Sequence, residues 1–382
     1  MPLIENLLDI RPVSADTSNM RKARWLAEWR NSEKKPVFYH CISRVVDRRF
    51  AFGAVEKEKF RALMRMQENF TGCCVVSYCL MDNHFHILLE VPPFAVDGLT
   101  DALLLERLAA LYSEVFVAGV AAELAEARQQ VKDGLGEEAV LVGRIHERFT
   151  YRMHDLGEFM KGLLQRYTQW HNRLHSRTGR LWENRFKSVI VEDGLAAKTM
   201  AAYIDLNPVR AGIVKDPAEY RWSSYGEAIG GGAKGNGKKA RAGLVRIFEI
   251  PETRFKNPDG EWSDVARRYR RLMGMALERK AMRAKVDLKA VRLKTMNSAE
   301  ALEAGQNETV LSELGMAKML RCRVRYFTDG AVIGSKAFVN EAFAASRERF
   351  GAKRKDGARK MRGAGSAAAG SLWSFRDLRA GV

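Results

Sequence analysis

Two histidines separated by one residue are the first side chains here whose spacing could support chemistry. His84 and His86 flank Phe85 in HFHILLEV, a segment whose pattern predicts a β-strand. Side chains two apart on a strand share a face, so both imidazoles could bind one divalent cation while Phe85 packs on the opposite face. Imidazole binds transition metals, and Mn²⁺ or Mg²⁺ when oxygen ligands complete the shell. A zinc site would need a further ligand, such as Cys79 on the preceding strand, and an isolated HxH pair is more often an ordinary core or surface feature.

A second pair of residues, Tyr203 and Asn207, lies four positions apart on a predicted helix. The helix LAAKTMAAYIDL (195–206) ends at Asn207-Pro208, because proline disfavours the helical conformation of the residue before it. The spacing puts both side chains on one face, where Asn207 could offer an oxygen to a hard cation. By composition alone, a half-buried core tyrosine and a helix-terminal asparagine explain them better. Other tyrosines could also be nucleophiles, namely Tyr167 first, then Tyr39, Tyr78 and Tyr225.

The elements that position these residues follow a strand–helix–strand–strand order. PVFYHCISRV predicts a strand, 55–69 a helix, and CCVVSYCLM and HFHILLEV a hairpin turning at Asp82-Asn83. This is the opening of a ferredoxin-like βαββαβ unit in an α+β protein. The predicted continuation is a helical insertion at about 98–152, a helix at 156–174 and a strand at 185–192. The domain prediction is an N-terminal arm (1–35), a catalytic domain (36–229), a Gly- and Lys-rich flexible linker (230–240), and a basic, mainly helical C-terminal region (241–382) that could be an accessory DNA-binding module.

The charge balance restricts the partners. A formal net charge of +18 and a pI of about 9.8 favour a polyanion, although a soluble basic protein without one also fits. No apolar run is long enough to span a membrane and the N-terminus lacks a secretion signal, so we expect no membrane contact. The five cysteines form no metal-type pair, which fits reduced thiols in a cytoplasmic protein.

Basic and aromatic residues cluster in the sequence between the predicted helix at 156–174 and the strand at 185–192. Arginine pairs with phosphates and indole rings stack on unpaired bases, so the cluster could guide single-stranded DNA. A solvated basic surface with core tryptophans is the alternative. The predicted DNA contacts are Arg44, Trp170, Arg173, Arg177, Arg180, Arg185 and Lys187.

Four ordered motifs within about 36–226 make this sequence resemble a known family, the REP-associated tyrosine transposases, which are single-tyrosine HUH-type enzymes. The motifs are MDNHFHILLEVP, GRLWENRFKSVIVE, YIDLNPVRAGIV and YRWSSY. The resemblance implies a ferredoxin-like HUH endonuclease domain. It also implies that His84, His86 and Asn207 bind Mg²⁺ or Mn²⁺ and that Tyr203 is the nucleophile. Where the family often has an aromatic residue or histidine, this chain has Asp205, either as a local change of contacts or as a carboxylate near the metal.

The chemistry implied is transposition through metal-dependent cleavage and joining of single-stranded DNA, at hairpin or palindromic ends. The tyrosine would form a 5′-phosphotyrosine and release a 3′-hydroxyl, so rejoining needs no ATP. Two alternatives stay open: a catalytically decayed HUH-fold DNA-binding regulator, and a nickase of the relaxase or replication-initiator type. A fused helicase or a second tyrosine on the nucleophile's helix would favour the nickase. The sequence leaves open a homodimer and whether the tyrosine acts within its own subunit.

Overall fold

A four-stranded antiparallel sheet forms the centre of the fold. The computed structural model describes residues 25–30, 35–93, 98–232, 235–248, 262–284, 320, 325–328, 330–350, 354–355, 357–361 and 372–375. The central strands are β1 (Val37–Arg44), β2 (Cys74–Leu80), β3 (His84–Val91) and β4 (Lys187–Val191). They lie in the order β2-β3-β1-β4, and every neighbouring pair is antiparallel. This is the ferredoxin-like order, so the predicted fold class is confirmed.

Each face of the sheet is covered by its own set of helices. Helices α1 (Ala54–Thr71) and α5 (Leu156–Leu174) pack on the face that carries Phe85, in a core rich in aromatic residues. The opposite face packs against α6 (Leu195–Asp205), α7 (Asn207–Arg210) and α8 (Ser224–Gly230). Two further helices, α9 (Gly235–Phe248) and α10 (Trp262–Ala284), complete that layer. None of the described helices is long and apolar enough to cross a membrane.

The helical insertion predicted between β3 and α5 is observed as three helices. They are α2 (Asp101–Ala109), α3 (Glu114–Lys132) and α4 (Glu138–Thr150). The side chains of Thr100 and Ser113 accept the backbone N–H groups that begin α2 and α3, as expected of N-cap residues. The insertion has a small hydrophobic core of its own, which extends onto α1 through Phe70.

The flexible linker predicted at 230–240 is wrong for its second half, because α9 begins at Gly235 and packs against β2. A glycine just beyond that stretch, Gly243, allows the close approach. A Cβ atom at Gly243 would lie 2.6 Å from the carbonyl oxygen of Val75. The apolar residues that bury the helix, among them Leu244 and Ile247, follow the glycine-rich stretch, so local composition did not reveal it.

The described parts of the C-terminal region join the same sheet. Strand β5 (Val332–Gly334) pairs in parallel with β4, and β7 (Trp373–Phe375) and β6 (Arg359–Lys360) extend the edge. The remaining helices are α11 (Arg325–Thr328) and α12 (Lys336–Ala345). With the end of α9 and the whole of α10 included, the described residues of 241–382 are mainly helical, as predicted. The sequence did not predict the three short strands, because they show little alternation. An accessory role in DNA binding stays a prediction.

Part of the N-terminal arm also packs on the fold. The Trp25 ring lies 5.5 Å from Phe350 and 4.6 Å from Phe375, measured between ring centroids. The backbone N–H of Ala27 donates to the Tyr39 hydroxyl at 3.1 Å. Residues 1–24 and 31–34 of the predicted arm lie outside the described residues.

Candidate active site

The β2–β3 hairpin brings His84 and His86 onto the face that α6 covers. Their ring centroids lie 5.1 Å apart. Phe85 points to the other face, where its ring lies 4.8 Å from Phe60 and 5.5 Å from Trp182. The alternation of side chains along the strand thus separates the two imidazoles from the aromatic core, as the sequence predicts.

A third histidine fixes the protonation of His86. On β1, Nδ1 of His40 lies 2.8 Å from the carbonyl oxygen of Phe327, and its Nε2 lies 2.9 Å from Nδ1 of His86. A carbonyl oxygen only accepts, so His40 must carry its proton on Nδ1 and accept at Nε2. His86 therefore donates from Nδ1 and keeps a lone pair on Nε2.

The same tautomer follows for His84 from its neighbour in the turn. Nδ1 of His84 lies 2.7 Å from Oδ1 of Asn83, whose Nδ2 donates to the carbonyl oxygen of Arg48 at 2.9 Å. The second bond orients the amide, so the oxygen faces His84 and Nδ1 must be the protonated nitrogen. Both histidines therefore present an unprotonated Nε2, the arrangement of metal-binding histidines whose other nitrogen donates to an outer partner.

Burial keeps all three imidazoles neutral at neutral pH. It lowers the pKa of His40 to about 4, and burial followed by the charge of Arg44 lowers the pKa of His84 to about 4. The pKa of His86 is also well below its ordinary value, mainly through burial and then through the neighbouring histidines. The Nε2 lone pairs are consequently available without a preceding deprotonation.

Helix α6 places Tyr203 against these histidines. The Tyr203 ring centroid lies 5.9 Å from that of His86 and 6.1 Å from that of His40. Phe327 from the C-terminal region stacks on the same ring at 4.4 Å, with an interplanar angle of 14°. Tyr203 is 2% exposed, so the aromatic and imidazole rings enclose it almost completely.

Asn207 lies one turn beyond Tyr203 and caps the end of its helix. Its Nδ2 donates to the carbonyl oxygens of Tyr203 at 3.3 Å and Ile204 at 3.1 Å. With the nitrogen committed to the backbone, the carbonyl oxygen is the atom of this side chain suited to a cation. The role of Asn207 as a metal ligand stays a prediction.

Arg210 is a residue of this site that the sequence reasoning missed. Its Cζ lies 4.8 Å from the centroid of the Tyr203 ring. The guanidinium donates to the carbonyl oxygens of Tyr203 at 3.1 Å and Leu320 at 2.9 Å. Burial lowers the pKa of Arg210, but arginine stays charged, so a positive charge lies beside the phenol ring. The spacing of seven from Tyr203, two helical turns, could have indicated it.

The competing tyrosines are placed elsewhere. Tyr167, Tyr39 and Tyr78 belong to the core on the opposite face of the sheet. Tyr167 is fully buried, and burial strongly raises its pKa. Tyr225 is on the face of Tyr203, where its hydroxyl lies 3.4 Å from Nη1 of Arg270. Among these tyrosines, only Tyr203 has a ring contact with His86.

Asp205 is a buried structural carboxylate, so the departure from the family pattern corresponds to a local change of contacts. It accepts the backbone N–H of Tyr225 at 3.0 Å and the hydroxyls of Tyr269 at 2.7 Å and Ser77 at 3.4 Å. These bonds connect α6 to α8, α10 and β2. Burial raises the pKa of Asp205 from 3.8 to about 7, although the hydrogen bonds oppose the shift.

Replacing Asp205 by asparagine should remove a pH dependence of stability. Because the folded-state pKa is raised, the favourable contribution of this carboxyl is complete below pH 3.8 and is lost as the pH rises through about 7. The free energy of unfolding of Asp205→Asn minus that of the wild type should therefore grow from pH 4 to pH 8, by up to about 4 kcal/mol. Urea unfolding of both proteins across this range measures the difference, and a constant value would contradict the assignment.

Four of the seven predicted DNA contacts lie at the end of the sheet that carries His84, called here the histidine end. Arg44 is the cross-strand partner of His84, and its carbonyl oxygen accepts the N–H of Glu183 at 2.9 Å. That bond brings the segment with exposed Arg180, Arg185 and Lys187 to this end. Trp182 is packed in the core, and its Nε1 donates to Thr168 at 2.9 Å.

The remaining predicted contacts lie on or after α5, on the other face of the sheet. Trp170 is half-buried, with Nζ of Lys59 5.9 Å from its ring. Arg173 is exposed at the end of α5, and Arg177 is half-buried in the loop beyond. The structure therefore does not bring Trp170 into contact with the histidines. Whether these residues bind DNA stays a prediction.

The candidate metal ligands are two imidazole nitrogens and one amide oxygen, which suit a cation that binds both nitrogen and oxygen. In the parts of the chain that the structure describes, no group of three His, Cys, Asp or Glu side chains could hold a metal ion. Cys79 does not complete a zinc site, since its sulfur packs 3.6 Å from that of Met81 in the apolar core. Two Nε2 atoms and the Asn207 oxygen would leave further positions for water or phosphate oxygens, which Mg²⁺ and Mn²⁺ accept.

Comparison with known proteins agrees with the resemblance seen in the sequence. Residues 34–97 match the family model described as IS200-like transposase. This segment contains His40, His84 and His86. A solved structure of a REP-associated tyrosine transposase bound to a REP hairpin matches with 12% identity and a TM-score of 0.34, covering 57% of this chain and 90% of that one. No curated protein matches the chain.

Proposed function

We propose that this protein is a DNA transposase that cleaves and joins single-stranded DNA through Tyr203. The observation that carries the proposal is the contact of the Tyr203 ring with two histidines on one face of the sheet. One of them, His86, presents an unprotonated Nε2 beside this tyrosine, and His84 does the same at the start of the strand. The match to IS200-like transposases over the histidine-bearing segment supports the class of reaction.

The proposed reaction exchanges one ester of a DNA phosphate for another. The Tyr203 oxygen forms a bond to phosphorus, and the bond from phosphorus to the 3′ oxygen breaks. The phenol releases its proton, the departing 3′ oxygen takes one up, and a 5′-phosphotyrosine remains. Attack of another 3′-hydroxyl on this link reverses the chemistry and joins strands without a high-energy cofactor.

The residues around Tyr203 have separate tasks in this scheme. Arg210 holds the carbonyl of Tyr203 and places a positive charge beside the ring, which favours the phenolate during attack and departure. His84, His86 and Asn207 would hold Mg²⁺ or Mn²⁺, which would supply Lewis-acid stabilisation of charge on the phosphate. Asn207 and Arg210 together fix the end of α6, and so fix the position of the nucleophile.

The substrate that we propose is single-stranded DNA at hairpin or palindromic ends. The net charge of +18 favours a polyanion, and the solved neighbour is bound to a REP hairpin. Exposed Arg180, Arg185 and Lys187 at the histidine end could bind the phosphates.

One observation favours a second candidate function, that of a DNA-binding regulator without cleavage activity. Tyr203 is 2% exposed, with Phe327 stacked on its ring. DNA can reach its hydroxyl only if the surrounding side chains move. If Phe327 always stays stacked on the Tyr203 ring, the protein would bind DNA but form no covalent link to it.

A covalent-trapping experiment separates these two functions. The protein is mixed with end-labelled single-stranded hairpin DNA from its own flanking sequence, in Mg²⁺ or Mn²⁺. A transposase gives a protein–DNA adduct that survives denaturation and disappears with a chelator. Tight DNA binding without an adduct in either metal would favour the regulator.

His40 should affect metal binding without being a ligand. Replacing it by leucine removes the acceptor that orients His86, and we expect metal affinity to fall about 10- to 100-fold, as for other outer-shell partners. His40→Gln retains an accepting oxygen and should lose less. Calorimetric titration with Mn²⁺ measures both variants. Equal metal affinity in wild type and His40→Leu would contradict the hydrogen-bonded chain from Phe327 to His86.

A further inference from the structure

An exposed phenylalanine lies on the loop that follows β1, next to the histidine-bearing turn. The loop is tied to that turn by three hydrogen bonds. Val45 N–H donates to the carbonyl of Asn83 at 2.9 Å, Phe52 N–H donates to that of Asp82 at 3.0 Å, and Nδ2 of Asn83 donates to that of Arg48 at 2.9 Å. Since His84 follows Asn83 directly, the loop at 45–52 is held beside the candidate metal site.

The backbone of this loop adopts a conformation that its residues disfavour. Asp47 and Arg48 have φ values of 57° and 55°, in the left-handed region that mainly glycine adopts. Two consecutive residues of this kind persist only where surrounding bonds hold them, and such positions are frequent at functional sites. Here the bonds to the turn hold them.

Two phenylalanines that are two residues apart on this loop differ in exposure. Phe52 is 3% exposed and packs near Phe60 and Tyr167 with ring centroids 6.1 and 5.5 Å away. Phe50 is 83% exposed. Burial of Phe52 therefore anchors the loop, while Phe50 projects into solvent.

The side chains around Phe50 are positively charged. Arg48 and Arg49 are exposed on the same loop, and Arg44 ends the strand that leads into it. The one acidic residue of the loop, Asp47, lies 3.4 Å from Arg49 in a pair whose side chains are both about two-thirds exposed. Such a pair competes weakly with a phosphate for the arginine.

We propose that this loop is a binding platform for single-stranded DNA, with Phe50 stacking on an unpaired base and Arg48 and Arg49 contacting the adjacent phosphates. Aromatic rings among basic side chains are the chemistry that binds single strands with little sequence preference. This inference rests on the proposed function. Because the loop lies beside His84, the platform holds a nucleotide next to the phosphate that is cleaved. A duplex has no free base face to offer, so the platform prefers single strands.

The test measures DNA binding alone, in metal-free buffer and in the Tyr203→Phe background. Fluorescence anisotropy with a labelled thymidine oligonucleotide and a duplex of equal length compares Phe50→Ala with Val115→Ala. Val115 is the matched control, since it is 84% exposed on the insertion helix α3. We expect Phe50→Ala to weaken single-strand binding about 5- to 100-fold, Phe50→Trp to retain it, and Val115→Ala to change nothing.

Two results would overturn the platform: unchanged single-strand affinity in Phe50→Ala, or an equal loss for single strand and duplex. The latter would point to a general electrostatic or structural effect. Since no cleavage is measured, the outcome is independent of the proposed reaction. A loss of single-strand binding in Phe50→Ala, combined with no adduct from the protein that retains Tyr203 in either metal, would support the platform and reject the transposase.

Discussion

Replacing Tyr203 by phenylalanine is expected to abolish both the covalent adduct and strand cleavage, by about 10⁴-fold or more, while DNA binding stays unchanged. The substitution removes only the hydroxyl that attacks phosphorus, and loss of a nucleophile commonly has effects of this size or larger. The ring remains, so its stacking on Phe327 and its contact with Arg210 are preserved. A denaturing gel measures the adduct and anisotropy measures the binding.

Tyr167→Phe is the matched control for this variant. Tyr167 is fully buried on the other face of the sheet, and its hydroxyl has no hydrogen-bond partner among the described residues. Removing that hydroxyl should leave stability equal or slightly higher and activity unchanged. If Tyr167→Phe loses the adduct and Tyr203→Phe keeps it, the assignment of the nucleophile is wrong.

Replacing His86 by alanine should reduce metal-dependent cleavage at least about 100-fold and weaken Mn²⁺ binding to a similar extent. The variant removes one of the two Nε2 atoms available to a metal and also breaks the hydrogen bond that His86 donates to His40. Cleavage rates over a range of Mn²⁺ concentrations, together with calorimetric titration, measure both effects. Raising the metal concentration should restore part of the rate if the defect is in affinity.

His175→Ala is the control for His86→Ala. His175 lies at the end of α5, where its Nε2 is 3.0 Å from Oε1 of Glu56 and 39% of its side chain is exposed. Replacing His175 should leave the dependence of the cleavage rate on metal concentration unchanged. Equal defects in the two variants would mean that His86 acts through general stability rather than through the metal.

The local elements of the candidate site were predictable from sequence because their signals are local. Alternation along HFHILLEV placed His84 and His86 on one face, and helical spacing placed Tyr203 and Asn207 together. The strand–helix–strand–strand order indicated the ferredoxin-like sheet, which determines that β3 pairs with β1. The resemblance then connected the strand to α6, about 120 residues further along the chain.

Contacts between distant segments were not predictable in the same way. The bond from His40 to Phe327 joins residues 287 positions apart, and no spacing rule relates them. The sequence pattern gave His40 no role in the site, whereas its hydrogen bonds in the structure determine the tautomer of His86. For Arg210 the spacing from Tyr203 was the one available signal, because its hydrogen-bond partners are backbone carbonyls, which no residue type identifies.

Composition misled where burial depends on tertiary contacts. The glycines near 235 suggested a linker, but they lie at the start of a helix that packs closely on β2. Asp205 raised the question of a carboxylate near the metal, but its bonds to Tyr225 and Tyr269 make it a buried connection between helices.

The most direct test of the central claim is to identify the residue linked to DNA. The trapped adduct is digested with nuclease and trypsin, and the peptide carrying a phosphonucleotide is sequenced by mass spectrometry. Cleavage after Lys198 and Arg210 gives TMAAYIDLNPVR, in which Tyr203 is the single tyrosine. We predict that the modification lies on this peptide and requires Mg²⁺ or Mn²⁺. A modification on YTQWHNR, which contains Tyr167, or on any other tyrosine would contradict the assignment of Tyr203 as the nucleophile.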